Sequence, residues 1–211
     1  MKKVIASLFV ASACLDGILP TVAQAEAEDV NGASEANITV NGTIGVDNTN
    51  PEANINEGSD AWINVTLDTA TVFYNVAGQT TIESPTYNIE NKSGRPVNVS
   101  VTAFSHTNSE DIAGITKLNL VSTRSDGTDS TETPLFSGAG TPIGTLETPE
   151  SILPLANNDR DMGDGTKIAN ANKATFGYTG EVSETATASK PSFTLTLQFD
   201  VPTTWTPTPT P

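Results

Sequence analysis

The chain holds one cysteine and one histidine in 211 residues, and each scarcity closes a chemical route. Cys14 lies within an N-terminal leader-like stretch, so once that stretch is removed no disulfide can form and stability must come from a hydrophobic core. A zinc site built from His and Cys then lacks ligands. His106 sits in the loop-like stretch Phe104-Ser105-His106-Thr107-Asn108, and no Gly-x-Ser-x-Gly elbow is present, so a Ser-His-Asp mechanism is not expected. Basic residues are also scarce: 10 Lys and Arg face 25 Asp and Glu, a formal charge of −15. A field of that sign repels phosphate backbones and anionic lipid surfaces, which argues against nucleic acid as a partner. No apolar run is long enough to span a bilayer. Aromatic residues are 6% of the chain, a thin supply for the aromatic-lined hollow of a sugar-cleaving enzyme.

What is present begins with an export signal. Met1-Lys2-Lys3 is positive, Val4 to Val10 opens an apolar run that continues to Leu19, and Ala23-Gln24-Ala25 supplies the small residues of a cleavage site. Cleavage after Ala25 removes Lys2, Lys3 and Asp16 and takes the formal charge to −16. An alternative fork is lipid attachment at Cys14, because Ala11-Ser12-Ala13-Cys14 partly matches a bacterial lipobox. The expected organisation is a signal peptide at 1–25, a flexible acidic segment at 26–36, a β domain at 37–201 and a Thr/Pro-rich tail at 202–211. The alternating prolines of that tail favour extended, polyproline-like backbone.

Strand signals dominate the body of the chain. Asn37-Ile38-Thr39-Val40-Asn41 alternates, Ile63, Val65 and Leu67 read as one core face, and Thr71 to Val76 as a further strand. Val97, Val99, Val101 and Ala103 share an apolar face after the turn Lys92-Ser93-Gly94-Arg95, which predicts a hairpin from Ser84 to Ser105. Leu118 with Leu120, then Ala174, Phe176 and Tyr178, then Phe193, Leu195, Leu197 and Phe199 repeat the period of two. Thr123 to Pro142 and Asn157 to Asn172 read as irregular polar loops. These signals predict an all-β fold, a single antiparallel β-sandwich of about ten strands with Greek-key, Ig-like character.

Two stretches offer oxygen ligands. Asp159, Asp161 and Asp164 lie within six residues beside Gly163 and Gly165, a spacing compatible with calcium but not with the twelve-residue helix-loop-helix loop. Asp47 to Asp60, with Glu52 and Glu57, is a second acidic stretch. The competing reading of both is a solvated loop between strands. Paired carboxylates of a glycoside hydrolase have no specific signature in so acidic a chain.

Phe73, the run Ser84 to Val97, Phe176-Gly177-Tyr178-Thr179-Gly180 and Lys190 to Leu195 together resemble the WxL-type surface proteins of low-GC Gram-positive bacteria. That resemblance implies an exported all-β protein associating with peptidoglycan without a covalent sorting signal. Trp205-Thr206-Pro207 stands where the family carries its terminal Trp-x-Leu, with Pro in place of Leu, and makes Trp205 the candidate wall- or partner-binding residue. The expected function is a non-catalytic, secreted cell-surface protein bound to the wall or to other surface proteins, with adhesion as a role. The alternatives are a fibre or pilus subunit that self-associates by strand donation, using a donor at Ile38 to Val40, and a secreted carbohydrate-active enzyme using carboxylates.

Overall fold

The computed structural model describes residues 47–204. The N-terminal stretch with Cys14, the stretch Asn37 to Asn41 and the C-terminal stretch with Trp205 lie outside the described residues.

A 3-10 turn, Asp60–Trp62, precedes twelve strands: β1 (Val65–Leu67), β2 (Tyr74–Asn75), β3 (Thr81–Glu83), β4 (Tyr87–Asn91), β5 (Val97–His106), β6 (Ile115–Arg124), β7 (Ser130–Pro134), β8 (Phe136–Gly138), β9 (Thr141–Pro142), β10 (Gly144–Leu155), β11 (Lys173–Val182) and β12 (Phe193–Asp200). The seven-stranded sheet is organised by β11. On one side β11 pairs along its length with β6, and β6 with β7. On its other side β11 pairs with β4 through residues 173–176 and with β3 through 180–181; β1 lies outside β4 and β2 outside β3. The second sheet has the order β10-β5-β12, and β8 and β9 form a small ladder of their own. Every ladder is antiparallel. Ile89, Leu118, Leu120 and Phe176 from the larger sheet and Val99, Val101, Phe104 and Leu155 from the smaller one form one buried cluster. The protein is therefore all-β, with two antiparallel layers closed on a shared core. Gly180 permits the close approach of β11 and β6: a Cβ there would lie 2.1 Å from the Lys117 carbonyl oxygen.

The expected hairpin from Ser84 to Ser105 is instead an arch. β4 pairs with β1 and β11, whereas β5 pairs with β10 and β12, so the two strands lie in opposite sheets. A hairpin would point both apolar faces to one side; here Tyr87 and Ile89 share a core with Val99 and Val101 of the opposite sheet, while Val97 packs in the cluster around Trp62. The turn between them is itself buried, with Ser93 and Arg95 at 0% and 4% exposure. Loops normally run over the surface because their backbone needs partners. This one is satisfied internally: Asn91 Nδ2 donates to the Arg95 and Ala156 carbonyls, both at 2.8 Å, and Asn91 Oδ1 accepts from the Ser93 N–H at 3.0 Å.

Three further expectations are corrected. The register of β5 against β12 slips between the pairs Thr196↔Ala103 and Leu197↔Val101, a bulge with one extra residue on β5. It turns Phe104, not Ala103, into the core. Trp62 belongs to the 3-10 turn capped by the Ser59 hydroxyl, and it is fully buried rather than on the outward face of a strand. The stretch Thr123 to Pro142 is largely strand: β7 pairs with β6, and Thr133 and Leu135 are buried beneath polar neighbours. β10, which shows only weak alternation and contains Pro149 and Pro154, is an edge strand, where a missing N–H is tolerated.

Candidate functional site: an apolar cleft between strand edges

The sandwich is open along one side. A cleft of about 1620 Å³ runs between β12 and the segment from Leu67 to Ile82. Its walls include Leu67, Phe73, Ile82, Phe193, Leu195 and Phe199. Along β12 the inward residues Phe193, Leu195, Leu197 and Phe199 are only half-buried, although the same strand face in a closed sandwich is core. Phe193 is the centre of the aromatic lining: its ring stacks on Phe104 at 4.9 Å and lies 5.9 Å from both Phe73 and Phe136. Phe73 in turn meets the Tyr178 ring edge-on at 6.0 Å. The segment carrying Phe73 is held by two phenols, with Tyr87 Oη accepting from the Val72 N–H at 2.6 Å and Tyr178 Oη 2.9 Å from the Thr71 hydroxyl. Burial raises the Tyr178 phenol above its usual range, against the lowering effect of the Thr71 contact.

Free backbone borders the cleft on both layers. Among the described residues β12 has β5 as its one ladder partner, β1 has β4, and β2 has β3. Val72, Tyr74 and Val76 at the rim are 47–59% exposed. A trough with apolar side chains at its floor, flanked by strand edges without a second ladder partner among the described residues, is suited to an extended chain, which supplies ladder bonds from its backbone and alternate side chains to the trough.

The sequence-expected ligand loop is arranged differently. Asp159 pairs with Lys167 at 3.6 Å. Asp161 is buried, and its Oδ1 accepts from the backbone N–H groups of Gly163 and Gly165. Asp164 accepts from the Thr166 N–H at 2.8 Å, which lowers its pKa below the ordinary range. The three carboxylates thus serve separate turn contacts, and among the described residues no group of three or more His, Cys, Asp or Glu side chains is gathered to hold one ion. In the second acidic stretch, Glu57 forms a forked ion pair with Arg95 at 2.6 and 2.9 Å, and the guanidinium of Arg95 lies 3.9 Å over the Trp62 ring. That stretch closes the arch end of the sandwich. His106 Nε2 is 2.8 Å from Asn108 Oδ1, and its ring packs 5.3 Å from Phe193. Trp205 and Cys14 lie outside the described residues. Among those residues no helix is long and apolar enough to cross a membrane.

The turn after β6 adds a pH dependence. Burial pushes the Asp126 carboxyl upward, but the Thr128 N–H and hydroxyl and the Arg124 guanidinium outweigh it and hold the pKa below the usual range. A carboxylate with a depressed folded-state pKa stabilises the fold above its unfolded value of about 3.9, and that contribution is lost as pH falls through the folded value. Asp126→Asn is therefore expected to lower stability at neutral pH and to flatten the loss of stability below pH ~4, as followed by thermal melts across pH.

The cleft was not legible as a site from residue types, because the same Phe and Leu alternation reads as ordinary core. Its only sequence signal is an even, uninterrupted period of two in the last strand, Phe193 to Phe199. A scan of protein-family models finds none that matches the chain, and a comparison with curated proteins finds no match.

Proposed function

We propose that this chain is an exported, non-catalytic cell-surface protein that associates with the cell wall or with other surface proteins, with adhesion as a role. The observation that carries this reading is the cleft: a long trough with an aromatic and aliphatic floor, between strand edges that have no second ladder partner among the described residues, suits the capture of an extended chain. The leader-like N-terminus supports export. The resemblance of the Ser84 to Val97 and Phe176 to Gly180 stretches to WxL-type proteins supports the Gram-positive wall as the setting. Purified protein is expected to sediment with isolated Gram-positive walls that retain their surface proteins. Protein left wholly in the supernatant overturns the proposal.

A second reading, a fibre subunit assembling by strand donation, is favoured by the edge of β12, which among the described residues pairs with β5 alone, beside the cleft. It requires polymers whose length grows with protein concentration.

A further inference from the structure

We propose that the outer edge of β10 is closed to strand addition, whether by a second copy of this chain or by an extended partner. Strand pairing with this molecule then excludes that edge of the smaller sheet. This closure is independent of wall association.

A strand at the edge of a sheet turns the N–H and C=O of every second residue outward, a template for another chain. Among the described residues β5 is the one ladder partner of β10. The C-terminal half of β10 keeps little of that template. Leu153 and Leu155 register with Val99 and Val97 of β5, whereas the carbonyls of Ile152, Pro154 and Ala156 accept from groups outside β5 and so point away from it. Thr131 Oγ1 donates to the Ile152 carbonyl, Arg124 Nη1 to that of Pro154 at 3.2 Å, and Asn91 Nδ2 to that of Ala156 at 2.8 Å. Pro154 has no N–H to offer, and the Ala156 N–H donates to the Ala171 carbonyl at 3.0 Å. An added strand would have to displace these donors, leaving the buried Arg124 and Asn91 side chains without those acceptors.

The N-terminal half is closed by shape and charge. Between the pairs Thr145↔Ala103 and Glu150↔Val101, Leu146 to Pro149 stand against Thr102 alone. The strand bulges out of the ladder there, and Glu147 to Ser151 are exposed one after another, where a regular half-buried strand alternates. A straight partner strand cannot follow four residues where the sheet allots one. Pro149 withholds a further N–H, and Glu147 and Glu150 place carboxylates on the stretch, facing any second copy of formal charge −15. Bulges, prolines and edge charges are the means by which natural sheets stop edge-to-edge pairing, and β10 carries all three.

The test opens the edge. In the full chain, residues 147–149 are deleted and Glu150→Thr, Thr131→Val and Pro154→Val are added. These changes regularise the register, release the Ile152 carbonyl and restore an N–H at position 154. The probe is a synthetic peptide copying β5, residues 97–106, the strand that β10 already pairs with. Sedimentation velocity is expected to show concentration-dependent association of the variant beyond that of the parent. Hydrogen exchange is expected to show the peptide slowing the β10 amides about tenfold in the variant and leaving them unchanged in the parent. Protection of the β10 amides by peptide in the parent overturns the proposal, whether or not the variant folds. So does a variant with the parent's circular dichroism that gains neither association nor protection. If the deletion unfolds the domain, the variant Glu147→Thr, Glu150→Thr and Pro154→Val, which keeps the chain length, is read by the same criterion. Neither result alters whether the protein sediments with walls.

Discussion

Replacing Trp62 with alanine is expected to cost about 3–5 kcal/mol, the range for deleting a fully buried large aromatic side chain. Trp62 is the centre of the smaller core cluster, with Ile63, Val97 and Val201 packed around it and Ala53, Ile55 and Phe199 at its margin. It ties the segment before β1 to the start of β5 and the end of β12, two strands that pair with each other there through Asp200 and Asn98. The Arg95 guanidinium over its ring adds a cation–π contact worth about 1–2 kcal/mol when desolvated. The indole N–H has no hydrogen-bond partner among the described residues, so Trp62→Phe gives up volume but no hydrogen bond and is expected to be the milder change. For a domain of this size the alanine variant corresponds to a fall in Tm on the order of 10 °C. Calorimetry of the two variants checks the order; equal stability of Trp62→Ala and the parent would mean that the arch end is not closed by this residue.

Asn91→Ala is expected to lose at least about 3 kcal/mol, although it removes only a small polar side chain. Asn91 is fully buried, and its amide serves the Arg95 and Ala156 carbonyls and the Ser93 N–H at once. Its removal leaves three backbone groups without those partners, each costing about 1–3 kcal/mol when buried. The exposed Asn98, nearby on β5, provides the contrast: Asn98→Ala is expected to stay within about 0.5 kcal/mol. Chemical denaturation of both variants, with m-values compared, reports the difference. A loss below 1 kcal/mol for Asn91→Ala would show that the buried turn does not depend on this amide.

The gap between these two asparagines explains what the sequence could and could not disclose. Alternation identified long strands such as those carrying Leu118 and Leu120 or Phe176 and Tyr178, because burial enforces a period of two, but of the strand expected from Thr71 to Val76 only Tyr74–Asn75 forms. It could not say in which sheet a strand lies. Lys92-Ser93-Gly94-Arg95 has hairpin composition, and what makes it an arch is a set of long-range bonds, from the Asn91 side chain to the Ala156 carbonyl and from the Asn91 N–H to the Asn172 carbonyl, invisible to local pattern. The bulge near Thr102 was hidden for the same reason, since either register places a nonpolar residue inward, Ala103 or Phe104. The acidic loop is a different case. Asp159, Asp161 and Asp164 are close in sequence, but their carboxylates are drawn into separate turn and ion-pair contacts, so proximity along the chain did not become convergence in space. The cleft was missed because Phe193 to Phe199 would read identically in a closed sandwich.

The position of β11 in chain order has a consequence for how the protein is made. This strand joins β3, β4 and β6, yet it spans Lys173–Val182, near the end of the chain. Until it has been synthesised, the larger sheet has no centre, and β3 and β4 lack the ladder that binds them to β6. β12, which completes the smaller sheet, comes later still. Such late, non-local pairing slows folding, because long loops must close before their contacts form. A nascent chain built this way can complete neither sheet until most of it has been synthesised.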